Sequence, residues 1–144
     1  LWMQQELPGL GGARTREEGA AQARHLLLHQ ETPTGIVFAT DMAALGAYSA
    51  VADLGLEVGS DVAIIGYDGV PEAEYARPGL TTYWVDTQRA GGRLAELLIR
   101  QIRGEAAETL REVSEAKLIE RQSDGPPAQT SAQLALKIKN RDPI

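Results

Sequence analysis

Cysteine is absent from the 144 residues of this chain, which excludes disulfides, thiolate metal sites and cysteine nucleophiles together. Long apolar runs are absent too: none approaches the roughly 18 residues needed to cross a bilayer, so no membrane contact is expected. Positive charge is in short supply. The formal net charge of -6 would repel a phosphate backbone, so any DNA contact must come from a segment outside these residues.

The chain does contain enough hydrophobic residues, 43% of the total, to close one core. It begins at Leu1 and opens without a signal-like segment, which leads us to expect a piece of a longer protein. The absence of cysteine fits a reducing compartment, and a cytoplasmic location is expected.

Strand-like and helix-like patterns alternate along the chain. Helices are predicted from Thr15, from the candidate caps Thr40 and Asp41 to Gly55, and over residues 87–103. Apolar or β-branched runs predict strands at residues 36–39, 62–67 and 80–86, and a partly exposed one within 112–122. The first run is apolar throughout, which is typical of a strand buried on both faces. This alternation predicts an α/β fold in which a parallel sheet is flanked by helices.

Two acids fall where two of the predicted strands end. Asp41 comes directly after the strand at 36–39, and Asp68 follows the strand at 62–67. Open parallel sheets bind ligands beyond the carboxyl ends of their strands, so both acids are expected on one rim of the sheet. A carboxylate accepts hydrogen bonds through two oxygens and can hold the paired hydroxyls of a sugar or ribose in one orientation.

Four motifs follow one another in a specific order: "FATD" at 38–41, "MAALGA" at 42–47, "DVAIIGYDG" at 61–69 and "RPGLTT" at 77–82. With them, the chain resembles the C-terminal half of the effector-binding domain of LacI/GalR-type transcriptional regulators, over about residues 12–124. The specificity lies in the order and spacing of the four motifs together.

The resemblance implies a periplasmic-binding-protein-like fold of two lobes, a small effector such as a sugar in the cleft between them, and a homodimer. Residues 1–124 would form the C-terminal part of that domain, mostly its C-terminal lobe, and about 87–124 would return to the other lobe. Residues 125–144 have the composition of a linker-like tail. Operator DNA would be bound by a helix-turn-helix outside this sequence, and effector binding would be coupled to it.

The resemblance assigns effector contacts to three of the rim residues. Asp68 matches the acid that accepts hydrogen bonds from the effector. Thr40 stands where the family commonly has a ligand-contacting asparagine, and it keeps one donor and acceptor without the amide fork. Asp41 matches an acid that either caps the next helix or contacts the ligand, and both alternatives stay open.

Three positions depart from the family pattern. Gly69 replaces a second acid beside Asp68, and Val85 stands where a polar residue is expected, with Trp84 and Asp86 as neighbours if the register slips. Arg14 replaces a frequently aromatic residue; it could pair with an anionic effector or simply be an exposed arginine near a helix start. These departures predict an altered effector. Aromatic side chains on the strands, among them Trp84, could stack on a ligand or belong to the core or an interface.

The resemblance also implies a dimer surface, to which Leu45, Ser49 and Tyr75 are assigned. Packing within one subunit is the alternative role for these residues.

The sequence predicts neither a metal site nor a catalytic site. His25 and His29 have zinc-compatible helical spacing, but no third ligand is evident, so neither a metal nor another cofactor is expected. No serine lies in a nucleophile elbow, and no catalysis is predicted. Two alternative functions remain: an exported solute-binding protein of a sugar transporter and, with less support, an enzyme acting on a sugar or nucleoside.

Overall fold

The computed structural model describes residues 12–29, 31–126 and 128–141 of the chain. Within them, helices alternate with strands as the sequence predicts. In chain order the elements are α1 Arg16–Leu27, β1 Gly35–Val37, α2 Asp41–Asp53, β2 Ala63–Asp68, α3 Glu72–Tyr75, β3 Thr81–Trp84, α4 Thr87–Ile102, a 3-10 turn Ala107–Thr109, β4 Lys117–Ile119 and α5 Ser131–Arg141.

One sheet contains the four strands in the order β1-β2-β3-β4. The first three strands are parallel, and β4 joins the edge of β3 antiparallel to it. The predicted α/β fold, with a mainly parallel sheet flanked by helices, is therefore confirmed. The predicted last strand within 112–122 is shortened to three residues and lies at the edge, where its side chains are mostly exposed.

Helices α1 and α2 pack so closely that their backbones touch. A Cβ atom added to Gly19 would lie 2.1 Å from the carbonyl oxygen of Ala43, and one added to Gly46 would lie 1.9 Å from that of Arg16. The glycine in "MAALGA" is thus a packing residue, since any side chain there would force the helices apart. The start of α1 is fixed by a capping box in which Thr15 and Glu18 bond each other's backbone N–H groups.

The two faces of the sheet differ in burial. Ile36, Phe38 and Ile64 lie in the hydrophobic core, whereas Val37 of β1 keeps 61% of its surface exposed. Tyr67 and Tyr83, which are register partners, share the exposed face and are also partly open. The prediction that the first strand is buried on both faces is therefore wrong for the described residues, because Gly35 and Val37 of β1 are exposed.

Helix α4 has the predicted apolar stripe but buries none of its residues. Its large side chains Leu94, Leu98, Ile99 and Ile102 are exposed. Within the described residues no helix is long and apolar enough to cross a membrane.

The predicted linker-like tail differs from the structure over residues 131–141. These residues form α5, whose Leu134 and Ile138 belong to the hydrophobic core. Lys137 pairs with Asp61 at 2.6 Å, which fixes the helix to the turn before β2. Five apolar positions in an 11-residue segment, two of them alanine, give too weak a periodic signal to show that the helix packs on a core formed far earlier in the chain.

Candidate functional site at the carboxyl ends of the strands

The carboxyl ends of the three parallel strands form one rim, as the sequence predicts. Thr40 and Asp41 follow β1, Asp68 ends β2, and Trp84 ends β3. Asp68 and Trp84 are register partners, so their side chains lie on the same face of neighbouring strands. The rim therefore combines carboxylate, hydroxyl and indole groups.

Asp41 is fully buried, and its carboxylate is used by neighbouring loops. Oδ2 accepts hydrogen bonds of 2.8 Å from the backbone N–H groups of both Gly69 and Val70. Oδ1 accepts one of 2.6 Å from the hydroxyl of Thr82. Asp41 therefore holds the loop after β2 and the strand β3 against α2. Its predicted contact with an effector stays a prediction, and the buried geometry does not favour it.

Thr40, rather than Asp41, caps α2. Its hydroxyl oxygen accepts a 3.2 Å hydrogen bond from the backbone N–H of Ala43. The alternative in which Asp41 caps the helix is wrong, because Asp41 is already the first helical residue and its carboxylate points to other partners. The cap uses only an oxygen lone pair of Thr40, so its hydroxyl proton is still available to a ligand. Effector contact by Thr40 stays a prediction.

Asp68 has a backbone conformation that residues with a side chain rarely adopt. Its φ is 122°, which typically costs about 1–3 kcal/mol and is concentrated at functional sites. The backbone is held there partly by the N–H of Val85, which donates to the Asp68 carbonyl oxygen at 3.2 Å. Strain of this kind persists only where the surrounding contacts enforce it.

The Asp68 carboxylate is half-buried beside the first turn of α2. Burial raises the pKa of this carboxyl, and the negative charge of Asp41 raises it further, while a hydrogen bond from the Asp41 backbone N–H acts in the opposite direction. None of the ion pairs recorded within the described residues involves Asp68. Its carboxylate is therefore an open acceptor group, unlike that of Asp41.

Gly69 lies directly against Trp84. Its φ is +79°, and an added Cβ would lie 2.3 Å from Cδ1 and 2.9 Å from Cα of Trp84. The departure noted in the sequence therefore has a structural cause, because the positive φ favours glycine and any side chain at position 69 would collide with both the backbone and the indole of Trp84.

The other predicted positions near β3 make different contacts in the structure. Val85 is half-buried, and its N–H is bonded to Asp68. Asp86 caps α4 by accepting a 2.8 Å hydrogen bond from the N–H of Arg89. Of the three neighbours considered for a register slip, Trp84 is therefore the one whose side chain lies beside Asp68 and Gly69. A direct effector contact by Val85 stays a prediction.

Arg14 is exposed at the start of α1. Its backbone N–H donates to the Glu18 carboxylate at 2.8 Å. This hydrogen bond and the one from the backbone N–H of Thr15 lower the pKa of the Glu18 carboxyl, and the positive charge of the Arg14 guanidinium lowers it further to a smaller extent. These contacts belong to the capping of α1. The predicted contact between Arg14 and an effector is not tested by them and stays a prediction.

Comparison with known proteins agrees with this geometry. Residues 4–123 match the periplasmic binding protein-like domain family. The chain is 33% identical over 112 residues to the HTH-type transcriptional repressor PurR of Edwardsiella ictaluri, covering 76% of this chain and 33% of that protein. The chain belongs to the periplasmic-binding-protein-like family of LacI-type regulators.

Solved structures of LacI-type regulators share the fold. The regulator of Arthrobacter sp. FB24, in complex with lactose, has a TM-score of 0.68 and 30% identity over 79% of this chain and 43% of its own. The dimeric Lac repressor gives a TM-score of 0.67 and 27% identity over 78% of this chain and 41% of its own. The chain spans about a third of the length of the curated relatives that it matches.

The predicted dimer residues of this LacI-type chain lie on α2 and α3. Leu45 is half-buried and packs against the core, Ser49 is exposed, and Tyr75 keeps 73% of its surface open. Tyr48 connects α2 to the loop after α3, because its hydroxyl donates to the Pro78 carbonyl oxygen at 3.1 Å. Burial raises the pKa of Tyr48 to about 12. The assignment of these residues to an interface stays a prediction.

The rings of His25 and His29 have centroids 6.4 Å apart on α1. Among residues 12–29, 31–126 and 128–141, no three metal-binding side chains are grouped.

Two features of the rim were not predicted from the sequence. The Thr82 hydroxyl donates a hydrogen bond to the Asp41 carboxylate, and Gly69 packs against Trp84. The signal for Thr82 lies in "LTT", since alternation along a strand places Thr81 and Thr82 on opposite faces of the sheet. Thr82 faces α2 with Asp41, whereas Thr81 bonds Asp124 on the other side.

Proposed function

We propose that the chain is the effector-sensing and dimer-forming part of a cytoplasmic LacI-type transcriptional regulator. It binds a small effector at the rim formed by β1, β2 and β3, and this binding is coupled to operator DNA held by a helix-turn-helix outside these residues. The observation that carries the proposal is Asp68: a half-buried carboxylate, without an ion-pair partner among the described residues, is held at φ 122° at the end of β2. A strained, open acceptor at this edge is typical of a ligand site.

The related proteins favour a regulator over the alternatives left open by the sequence. The PurR relative is an HTH-type transcriptional repressor, and the Arthrobacter regulator was solved with lactose, a small sugar. These properties belong to those proteins. They support a regulator in place of an exported solute-binding protein or an enzyme.

Helix α4 supports the proposal that about residues 87–124 return to a second lobe. Leu94, Leu98 and Ile102 follow one another at helical spacing and are all exposed. A soluble helix normally buries such a stripe, so a covering surface is expected from a part of the protein outside this chain. The effector cleft would then lie between that lobe and the rim.

The effector site is tested on the full-length protein that contains this chain. Sugars, nucleosides and small acids are screened by thermal shift, and each hit is measured again with Asp68→Ala and with Asp53→Ala. Asp53 is an exposed acid at the end of α2, remote from the rim, and serves as the matched control. Loss of binding in Asp68→Ala alone, with circular dichroism unchanged, supports the site. Normal binding by Asp68→Ala overturns it.

The homodimer is tested by light scattering. Tyr75→Asp should give a folded monomer, because this side chain is largely exposed and a charge there prevents a two-fold contact. Leu45→Asp should act in the same direction, with circular dichroism as a check on folding because Leu45 also packs against the core. Val113, which is 93% exposed and far from α2 in sequence, provides the control Val113→Asp. A dimer that survives both Tyr75→Asp and Leu45→Asp contradicts the interface.

A further inference from the structure

The contact between Gly69 and Trp84 places an indole ring on the rim. Because Gly69 has no side chain, Cδ1 of Trp84 can lie 2.3 Å from the position that a Cβ would take, and the ring packs directly on the loop that follows Asp68. A Cβ at position 69 would also lie 2.9 Å from both Cα and Cβ of Trp84, so this backbone arrangement requires glycine at position 69. Glycine at position 69 lets the loop after Asp68 lie against the end of β3, and the indole lies beside that loop.

Trp84 is also open enough to meet a ligand. It keeps 38% of its surface exposed, whereas the neighbouring residues of the same sheet face, Ile64, Leu80 and Thr82, have none. Trp84 therefore does not belong to the core, the more frequent role of an aromatic residue on a strand. A large apolar ring that is held in place and partly exposed contributes contact area at little entropic cost.

The register of the sheet separates Trp84 from the other exposed aromatic side chains. Trp84 pairs with Asp68, and Tyr83 pairs with Tyr67, so the two pairs point to opposite faces. Only the first pair combines a ring with an open carboxylate. Tyr83, which is 39% exposed, is consequently a matched control for Trp84: it is adjacent in sequence and equally open, but it faces away from Asp68.

We infer that Trp84 is a specificity-determining residue of the effector site, where its indole stacks on the apolar face of a ring-shaped ligand while Asp68 accepts hydrogen bonds from donors at the edge of that ring. The assignment rests on the effector site proposed above. The ligand class is a compact ring with an apolar face and edge donors, a description that fits both pyranose sugars and nucleobases. Because Asp41 is buried and position 69 is glycine, Asp68 is the single open carboxylate among these three positions.

The inference is tested with the full-length protein by isothermal titration of defined probes. Methyl glucopyranoside and methyl galactopyranoside represent the pyranoses, adenosine and guanosine the nucleobases, and sorbitol and galactitol the open-chain polyols that carry hydroxyls without a ring face. At least one ring probe should bind, and the open-chain polyols should bind at least about tenfold more weakly. The probe that binds shows whether the ligand is a pyranose sugar or carries a nucleobase.

Substitutions then separate the two proposals. Trp84→Ala should weaken binding of the ring probe by about 5- to 100-fold, the range expected for the loss of one stacking side chain. Trp84→Phe should keep most of the affinity, and Tyr83→Ala should leave the affinity unchanged. Binding that is lost in Asp68→Ala but kept in Trp84→Ala overturns the role of Trp84 and leaves the effector site standing. Binding that is kept in Asp68→Ala overturns the effector site itself. If no ring probe binds, the ligand class is wrong.

Discussion

The carboxylate of Asp41 and the hydroxyl of Thr82 are joined by a hydrogen bond of 2.6 Å although the two residues lie 41 positions apart. The bond connects the start of α2 to β3, across β2, which lies between β1 and β3 in the sheet. On the same strand, the hydroxyl of Thr81 bonds Asp124 and also accepts a 2.8 Å hydrogen bond from the backbone N–H of Arg121. The "LTT" motif therefore supplies one hydroxyl to each face of the sheet, and both fix parts of the chain that are distant in sequence.

Asp41→Ala should lower the free energy of unfolding by about 3–5 kcal/mol, since it leaves the N–H groups of Gly69 and Val70 and the hydroxyl of Thr82 without a buried acceptor. Asp41→Asn keeps one acceptor oxygen and should cost less. Urea unfolding followed by circular dichroism measures both changes. Asp53→Ala, on the exposed end of the same helix, should stay within about 0.5 kcal/mol of the parent. An equal effect of the two alanine variants would contradict the role of Asp41.

The sequence predicts the strand and helix order well because hydrophobic periodicity and caps are local signals. It also predicts that Asp68 ends a strand at the rim. It does not predict that Trp84 fills the space beside Gly69, because that contact depends on the register of two strands whose residues are 15 positions apart along the chain. The docking of α5 is likewise set by a surface assembled from earlier segments.

Ser123→Ala should lower the free energy of unfolding by about 1–3 kcal/mol. The hydroxyl of Ser123 is fully buried, accepts a 2.8 Å hydrogen bond from the N–H of Thr81 and donates one of 2.5 Å to the carbonyl oxygen of Ile64. The alanine variant leaves both backbone groups unsatisfied between β2 and β3. Thermal and urea unfolding measure the loss, and Ser114→Ala on the exposed segment before β4 is the control expected to have little effect. Unfolding midpoints that coincide for the two variants would rule out the buried bridge.

Asp68 should make the folded state less stable as pH rises. Burial and the charge of Asp41 raise its folded-state pKa above the unfolded value. Below the unfolded pKa the carboxyl is protonated in both states. As pH increases through the folded pKa, the folded protein must ionise a group whose charge it disfavours, and the corresponding stability is lost. Asp68→Asn should therefore gain stability relative to the parent between about pH 3 and pH 7, as measured by urea unfolding at each pH.

The pKa of the Glu18 carboxyl is shifted in the direction opposite to that of Asp68. Backbone hydrogen bonds from Arg14 and Thr15 lower the pKa of its carboxyl, so its contribution is present above the unfolded pKa and is lost as pH falls through the folded pKa. Glu18→Gln should therefore lose stability relative to the parent as pH increases over the same range, whereas Asp68→Asn gains it. Two difference curves that slope in the same direction would show that at least one of these electrostatic assignments is wrong.

Leu134→Ala should lower the free energy of unfolding by about 2–4 kcal/mol, because this side chain is fully buried in the core and its removal leaves a cavity. Leu136, two residues further along α5, is 59% exposed, so Leu136→Ala removes the same atoms without opening the core and should change the free energy by about 0.5 kcal/mol or less. Urea unfolding of the two variants compares identical substitutions on the same helix. If they behave alike, α5 does not pack on the core and residues 125–144 are the linker-like tail that their composition predicts. A large difference shows instead that the end of this chain is part of the domain, and that truncations before Ser131 remove core residues.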